Sequence, residues 1–225
     1  MKVGQSPIER AVQTVLERNA NKWTQAWQSP ANRNLRPEEA WKVLDQRYIM
    51  IRREIASVLV PQSGLYIDDI QMVFPTQNDL FKNSQIDAQY LNLKWVGVNA
   101  GDRIVDLGVG MGEALFTAAL FPGTKVDGYE LNPILSQCSR LLQAINSDLP
   151  GVRSANIMTG DFLAADLKRY NVYLAYLTPK LLASTFEKLT QEAEMGALVI
   201  SSHPTEAPPA CWQFDNFKYA YVKNA

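Results

Sequence analysis

The sequence predicts an α/β fold: a doubly wound, mostly parallel sheet with an antiparallel C-terminal strand, preceded by an N-terminal helical extension. Three observations predict it. Short apolar runs of strand length at 103–107, 125–130, 171–177 and 197–202 alternate with helix-length segments. The first of these runs reaches an acid, Asp106, and breaks into Gly108, Gly110 and Gly112 before turning helical. Residues 1–66, by contrast, repeat their apolar side chains at helical spacing.

Composition sets the bounds. The chain has 225 residues, 47% hydrophobic and 20% charged, with a net charge of -1, enough for one sizeable core and an extension. The division expected is a helical extension over 1–66 and a core over 67–225. Near-neutral charge argues against a protein that grips nucleic acid mainly through phosphates. Two cysteines, Cys138 and Cys211, make neither a metal cluster nor a disulfide framework. A reduced, cytoplasmic setting is the expectation, with no signal-peptide core and no apolar run near the ~18 residues of a membrane span.

Taken in order, Ser6-Pro7 reads as N-cap and first-turn proline of a helix, with Ile8, Val12, Val15 and Leu16 as its apolar stripe. Trp23 and Trp27, four apart, read as packing anchors. A polar connection from Gln28 to Pro37 leads into a second helix to Val60, with Ala40, Val43, Leu44, Tyr48, Ile51, Ile55 and Leu59 on one face. Up to Tyr66 the segment has ten Lys and Arg against six Asp and Glu, a net +4. It can be a cap over one side of the core or an arm that docks an acidic partner. Met72 to Gln77 reads as a short extended stretch ending in an N-cap, before a helix from about Gln77 to Leu93.

The glycine turn carries the chemistry. Glycines allow φ > 0 and close approach of a ligand to the backbone, and free N–H groups at the new helix face the turn. A nicotinamide-type G-x-G-x-x-G would need a small residue where Glu113 stands. With Asp106 the pattern is D-x-G-x-G-x-G, which resembles the cofactor loop of class I, Rossmann-like S-adenosylmethionine (SAM) dependent methyltransferases. Lys125 to Glu130 agrees: a second strand ending in an acid, then Asn132-Pro133 as N-cap and first turn. Glu130 lies about twenty residues past the glycines, where an acid can bind both ribose hydroxyls.

The resemblance implies SAM as cofactor and extends the site. Ala155 to Phe162 is similar to the family's third strand, with Asp161 and Phe162 meeting the adenine; alternatively Asp161 caps a short helix. Phe74, Thr76 and Gln77 match a segment that in several lysine methyltransferases closes over SAM. The fourth strand ends in Tyr176-Leu177-Thr178-Pro179, at the sheet edge where the methyl belongs. This ending resembles archaeal broad-specificity lysine methyltransferases and mitochondrial ones acting on the ATP/ADP carrier and the ATP synthase c subunit. Asn171 departs from the Asp common at that strand's start. After the fifth strand stands His203, the only histidine, and short strands at 212–214 and 219–222 close the chain.

Methyl transfer from a sulfonium needs positioning rather than a metal or a nucleophilic side chain. Enzymes acting on base amines carry an Asn/Asp-Pro-Pro-aromatic tetrad after strand four, absent here. Neither cysteine is placed for cytosine C5 chemistry, and the carboxylates of metal-dependent O-methylation are missing. A protein lysine is the leading substrate, with Tyr176 and Thr178 at its amine. A small-molecule N- or O-methyltransferase and a non-catalytic SAM-binding subunit are the alternatives. Oligomeric state is not legible.

Overall fold

A computed structural model describes residues 7–63, 74–75, 80–81, 86–201, 208–215 and 220–224. Seven strands form the main sheet: β3 (Arg103–Leu107), β4 (Lys125–Glu130), β5 (Asn156–Thr159), β6 (Val172–Leu174), β7 (Leu198–Ile200), β8 (Trp212–Asp215) and β9 (Ala220–Lys223). Their order is β5-β4-β3-β6-β7-β9-β8, with β9 the one strand antiparallel to both neighbours. The chain steps from β3 outward through β4 and β5, then returns to place β6 on the other flank of β3. The crevice between such diverging connections is where open α/β sheets bind ligands.

Among the described residues six α-helices accompany the sheet: α1 (Pro7–Trp27), α2 (Pro37–Ser63), α3 (Ile86–Trp95), α4 (Glu113–Ala119), α5 (Pro133–Ile145) and α6 (Pro179–Glu192). Strand residues alternate between the sheet's faces. Ile104, Val172 and Leu174 join an apolar cluster with α1 to α5, including Leu16, Leu44, Tyr48, Ile55, Leu93, Leu115 and Leu142. Val105, Leu107 and Tyr173 join a second cluster with Leu182, Phe186 and Leu189 of α6, plus Trp212 and Tyr221. Every residue of β3 after Arg103 is buried, as a two-sided strand requires. No described helix is long and apolar enough to cross a membrane.

The N-terminal helices are therefore part of the core's wall. Trp23 and Trp27 stack at 5.3 Å. The connection after α1 is anchored by Asp148, whose carboxylate receives Ser29 N–H at 3.0 Å, Asn32 Nδ2 at 2.7 Å and Arg47 at 2.7 Å. Arg47 and Asp148 are both almost fully buried. Positive charge from α2 is thus turned inward, so the +4 of the segment is not all surface.

One local feature differs from the sequence reading, and another gains its physical reason. The helix expected over 77–93 begins at Ile86. Before it, β1 (Phe74–Pro75) pairs antiparallel with β2 (Leu80–Phe81), so 80–81 are strand where a helix was expected. Asn171 has a reason to replace an acid: its Oδ1 accepts Arg103 N–H at 2.7 Å while its Nδ2 donates to Asp102 at 2.8 Å. An aspartate would set two carboxylates against each other there.

Candidate active site

The glycine turn is stitched to β4. Gly108 and Val109 N–H both donate to the Tyr129 carbonyl, at 2.9 and 3.0 Å. Gly108 sits at φ +96° and Gly112 at φ +85°, left-handed values that suit only glycine. A Cβ on Gly112 would lie 2.6 Å from the Phe116 ring. The path of the turn therefore depends on having no side chain at Gly108 and Gly112. Glu130, at the end of β4, accepts Gly110 N–H on Oε2 and Asn132 N–H on Oε1, each at 2.8 Å. Each oxygen retains a lone pair, so the carboxylate can take two further donors such as vicinal hydroxyls. Asn132 caps α5, its Oδ1 accepting Ile134 N–H at 2.9 Å.

Asp106 is 2% exposed, and one of its oxygens, Oδ2, has no hydrogen-bond partner among the described residues. Burial first, then the charge of Glu130, raises its pKa well above the usual carboxylate range. To ionise in that place the carboxyl needs a cation beside it. The orphaned acid beside a glycine cradle fits a ligand with a positive group at one end and a sugar at the other. SAM, with its ammonium and ribose, is such a ligand.

Further along the edge, Asp161 caps the 3-10 turn Phe162–Ala164, accepting Leu163 N–H at 2.9 Å. The capping role is present, and the exposed carboxylate keeps acceptor capacity. Phe162 is buried in the α6-side cluster beside Leu107 and Leu167. Leu131, next to Glu130, is 64% exposed. It was not singled out in the sequence, where only its place after the strand-end acid marks it, and it offers apolar cover for a flat base.

At β6, alternation puts Tyr176 on the same face as Asp106 and Leu177 on the opposite one. Leu177 lies close to Gly108: its Cδ2 would be 3.3 Å from a Cβ there. The Tyr176 hydroxyl is buried without a hydrogen-bond partner among the described residues. Burial, then the nearby Asp106, pushes its pKa up, with the Asn92 side chain alongside it. Thr178 occupies the N-cap position of α6 without a side-chain capping bond. Thr76, Gln77 and His203 lie outside the described residues, and Phe74 is described only by its backbone in β1. Burial raises the Cys138 thiol to about 12, leaving it inert.

Sequence reasoning missed the reach of the N-terminal helices into this site. Tyr48 Oη donates to the Met111 carbonyl, inside the glycine turn, at 2.6 Å. Arg52 pairs with Glu113 at 2.7 Å, at the first residue of α4. Asn132 Nδ2 donates to Glu9 at 2.8 Å. The hint was available: Tyr48 and Arg52, one turn apart, are polar groups bordering an apolar stripe.

With this geometry in hand, comparison with known proteins is informative. Residues 106–203 match the family model of the ANTKMT methyltransferase domain. No curated protein matches the chain. Among solved structures 710 chains match, a breadth that identifies the fold and leaves the substrate open. A putative methyltransferase, yhhF, from Escherichia coli aligns at 16% identity over 64% of this chain and 89% of its own, with a TM-score of 0.51. An RNA methyltransferase from Salinibacter ruber, in complex with S-adenosyl-L-homocysteine, aligns at 24% identity over 53% of this chain and 76% of its own, with a TM-score of 0.49.

Proposed function

We propose that this SAM-dependent methyltransferase transfers its methyl group to the ε-amine of a lysine in a protein substrate. The observation that carries the reading is the end of β6, where Tyr176-Leu177-Thr178-Pro179 stands beside Asp106 at the sheet's diverging point. The match of 106–203 to the ANTKMT domain supports it. Bound SAM supplies an electrophilic methyl on a sulfonium. The chain's own groups position it: Glu130 takes the ribose hydroxyls, Asp106 the cationic end, and Asp161 with Phe162 the adenine. Tyr176 orients the incoming amine at the strand end, and Thr178 fixes the turn into α6.

Chemistry at that edge favours an amine entering uncharged. Free lysine has a pKa of about 10.4, and desolvation beside a positive sulfonium drives off its proton. No carboxylate is then required as a base at the methyl. The test is mass spectrometry of a cell extract incubated with the protein and labelled SAM. Label on a lysine of one or a few proteins supports the reading. Label recovered only on nucleic acid or a small metabolite refutes it, and no label at all would favour a SAM-binding subunit without catalysis.

A further inference from the structure

Helix α3 carries a polar face that the proposed reaction leaves unused. Gln89 is 1% exposed, and neither its amide nitrogen nor its amide oxygen has a hydrogen-bond partner among the described residues. A buried amide left unpaired destabilises a fold, so an apolar residue would serve the core better at this position. Asn92, three residues on and so on the same side of the helix, stands beside the Tyr176 hydroxyl and hence near Asp106. Gln89, Tyr176 and Asp106 each keep a buried polar atom without a hydrogen-bond partner among the described residues.

The strands run β5-β4-β3-β6. Adenine at Asp161 belongs to the β5 end and ribose at Glu130 to β4, so the rest of the cofactor falls over β3 and β6. That remainder is an amino acid, whose ammonium needs acceptors and whose carboxylate needs donors. Asp106 provides only an acceptor. A primary amide provides one acceptor and two donors.

Building on the SAM reading above, we propose that Gln89 is a cofactor-binding residue whose amide seats the α-amino-carboxylate end of SAM together with Asp106. The full-length chain is titrated calorimetrically with S-adenosylhomocysteine and with 5′-methylthioadenosine, which shares adenine, ribose and sulfur but lacks the amino-acid end. Gln89→Leu should weaken S-adenosylhomocysteine about ten- to hundredfold and leave methylthioadenosine within about twofold. The same variant without ligand should melt higher, because an unpaired amide has been removed. Gln89→Met, closer in shape, gives the same contrast should the leucine variant fail to fold. Unchanged affinity for S-adenosylhomocysteine, or equal losses for both ligands, overturns the proposal while the cofactor reading stands. Wild-type protein that binds neither ligand overturns both.

Discussion

Glu130 holds the glycine turn with the same carboxylate proposed above to bind the ribose, so the two roles must be separated. Glu130→Ala would free Gly110 and Asn132 N–H as well as remove the ribose acceptors. Glu130→Gln keeps the shape and one acceptor, and should lower S-adenosylhomocysteine affinity by about 2–3 kcal/mol in calorimetry. Unchanged affinity removes Glu130 from the site. Asp106 makes a pH prediction. A carboxyl whose folded pKa is raised stabilises the fold below its unfolded value, about 4, and loses that contribution as pH climbs through the folded value. Ligand-free stability from Asp106 should therefore decline as pH rises from about 4. A cationic ligand favours the ionised form, so it should bind with proton release and more tightly as pH rises through that window. Titrations in two buffers of different ionisation enthalpy read the proton directly; an absence of release at every pH would show that no carboxyl meets the cation. Tyr176→Phe removes only a hydroxyl, and should slow turnover at least about tenfold, some 1.4 kcal/mol, while cofactor affinity stays within a few-fold.

At the scale of elements, α2 joins otherwise separate parts. Through Arg47 it holds the C-terminal end of α5, and through Tyr48 and Arg52 the glycine turn and the start of α4. Arg47→Ala would leave Asp148 buried without its cation, at about 3–5 kcal/mol of stability in urea unfolding. A loss below about 1 kcal/mol would mean that Ser29 and Asn32 suffice. The sequence disclosed elements whose signals are contiguous. Asn132-Pro133 starts α5 because cap and first turn are adjacent residues, and Asp106 ends β3 where the glycines begin. The start of α3 was not legible, because Leu80 and Phe81 are strand through their pairing with Pro75 and Phe74, which a local cap signal does not report. Nor was the inward direction of Arg47 and Arg52: charge counts carry no orientation.

For the molecule as a whole, the helical extension and the core share one apolar cluster. Deleting residues 1–60 would expose the α3–α5 side of the sheet and cut the contacts of Tyr48 to the glycine turn and of Arg52 to the start of α4. The truncated chain should show no cooperative thermal transition by circular dichroism; a native-like transition with intact S-adenosylhomocysteine binding would make the helices a dispensable arm. The same sharing explains why the site was only partly visible in the sequence. Motif residues Asp106, Glu130 and Asp161 announce themselves by spacing. Tyr48 and Arg52 reach the glycine turn and the start of α4 from a helix whose sequence reads as ordinary packing, and only the fold places them there.

The contacts of Tyr48 and Arg47 span 63 and 101 residues of chain, and Gln28 reaches its acceptor on Ala144 across 116. On a ribosome adding about 5–20 residues per second, α1 and α2 emerge on the order of ten seconds before α5 exists to cover them. For that interval their stripe of Val12, Leu16, Leu44, Ile51 and Ile55 can be shielded only by the two helices pairing with each other or by a chaperone. Synthesis therefore delivers the wall first and the glycine turn afterwards, so the nascent chain passes through a stage in which the two longest described helices wait for the α3 and α5 surfaces they will pack against.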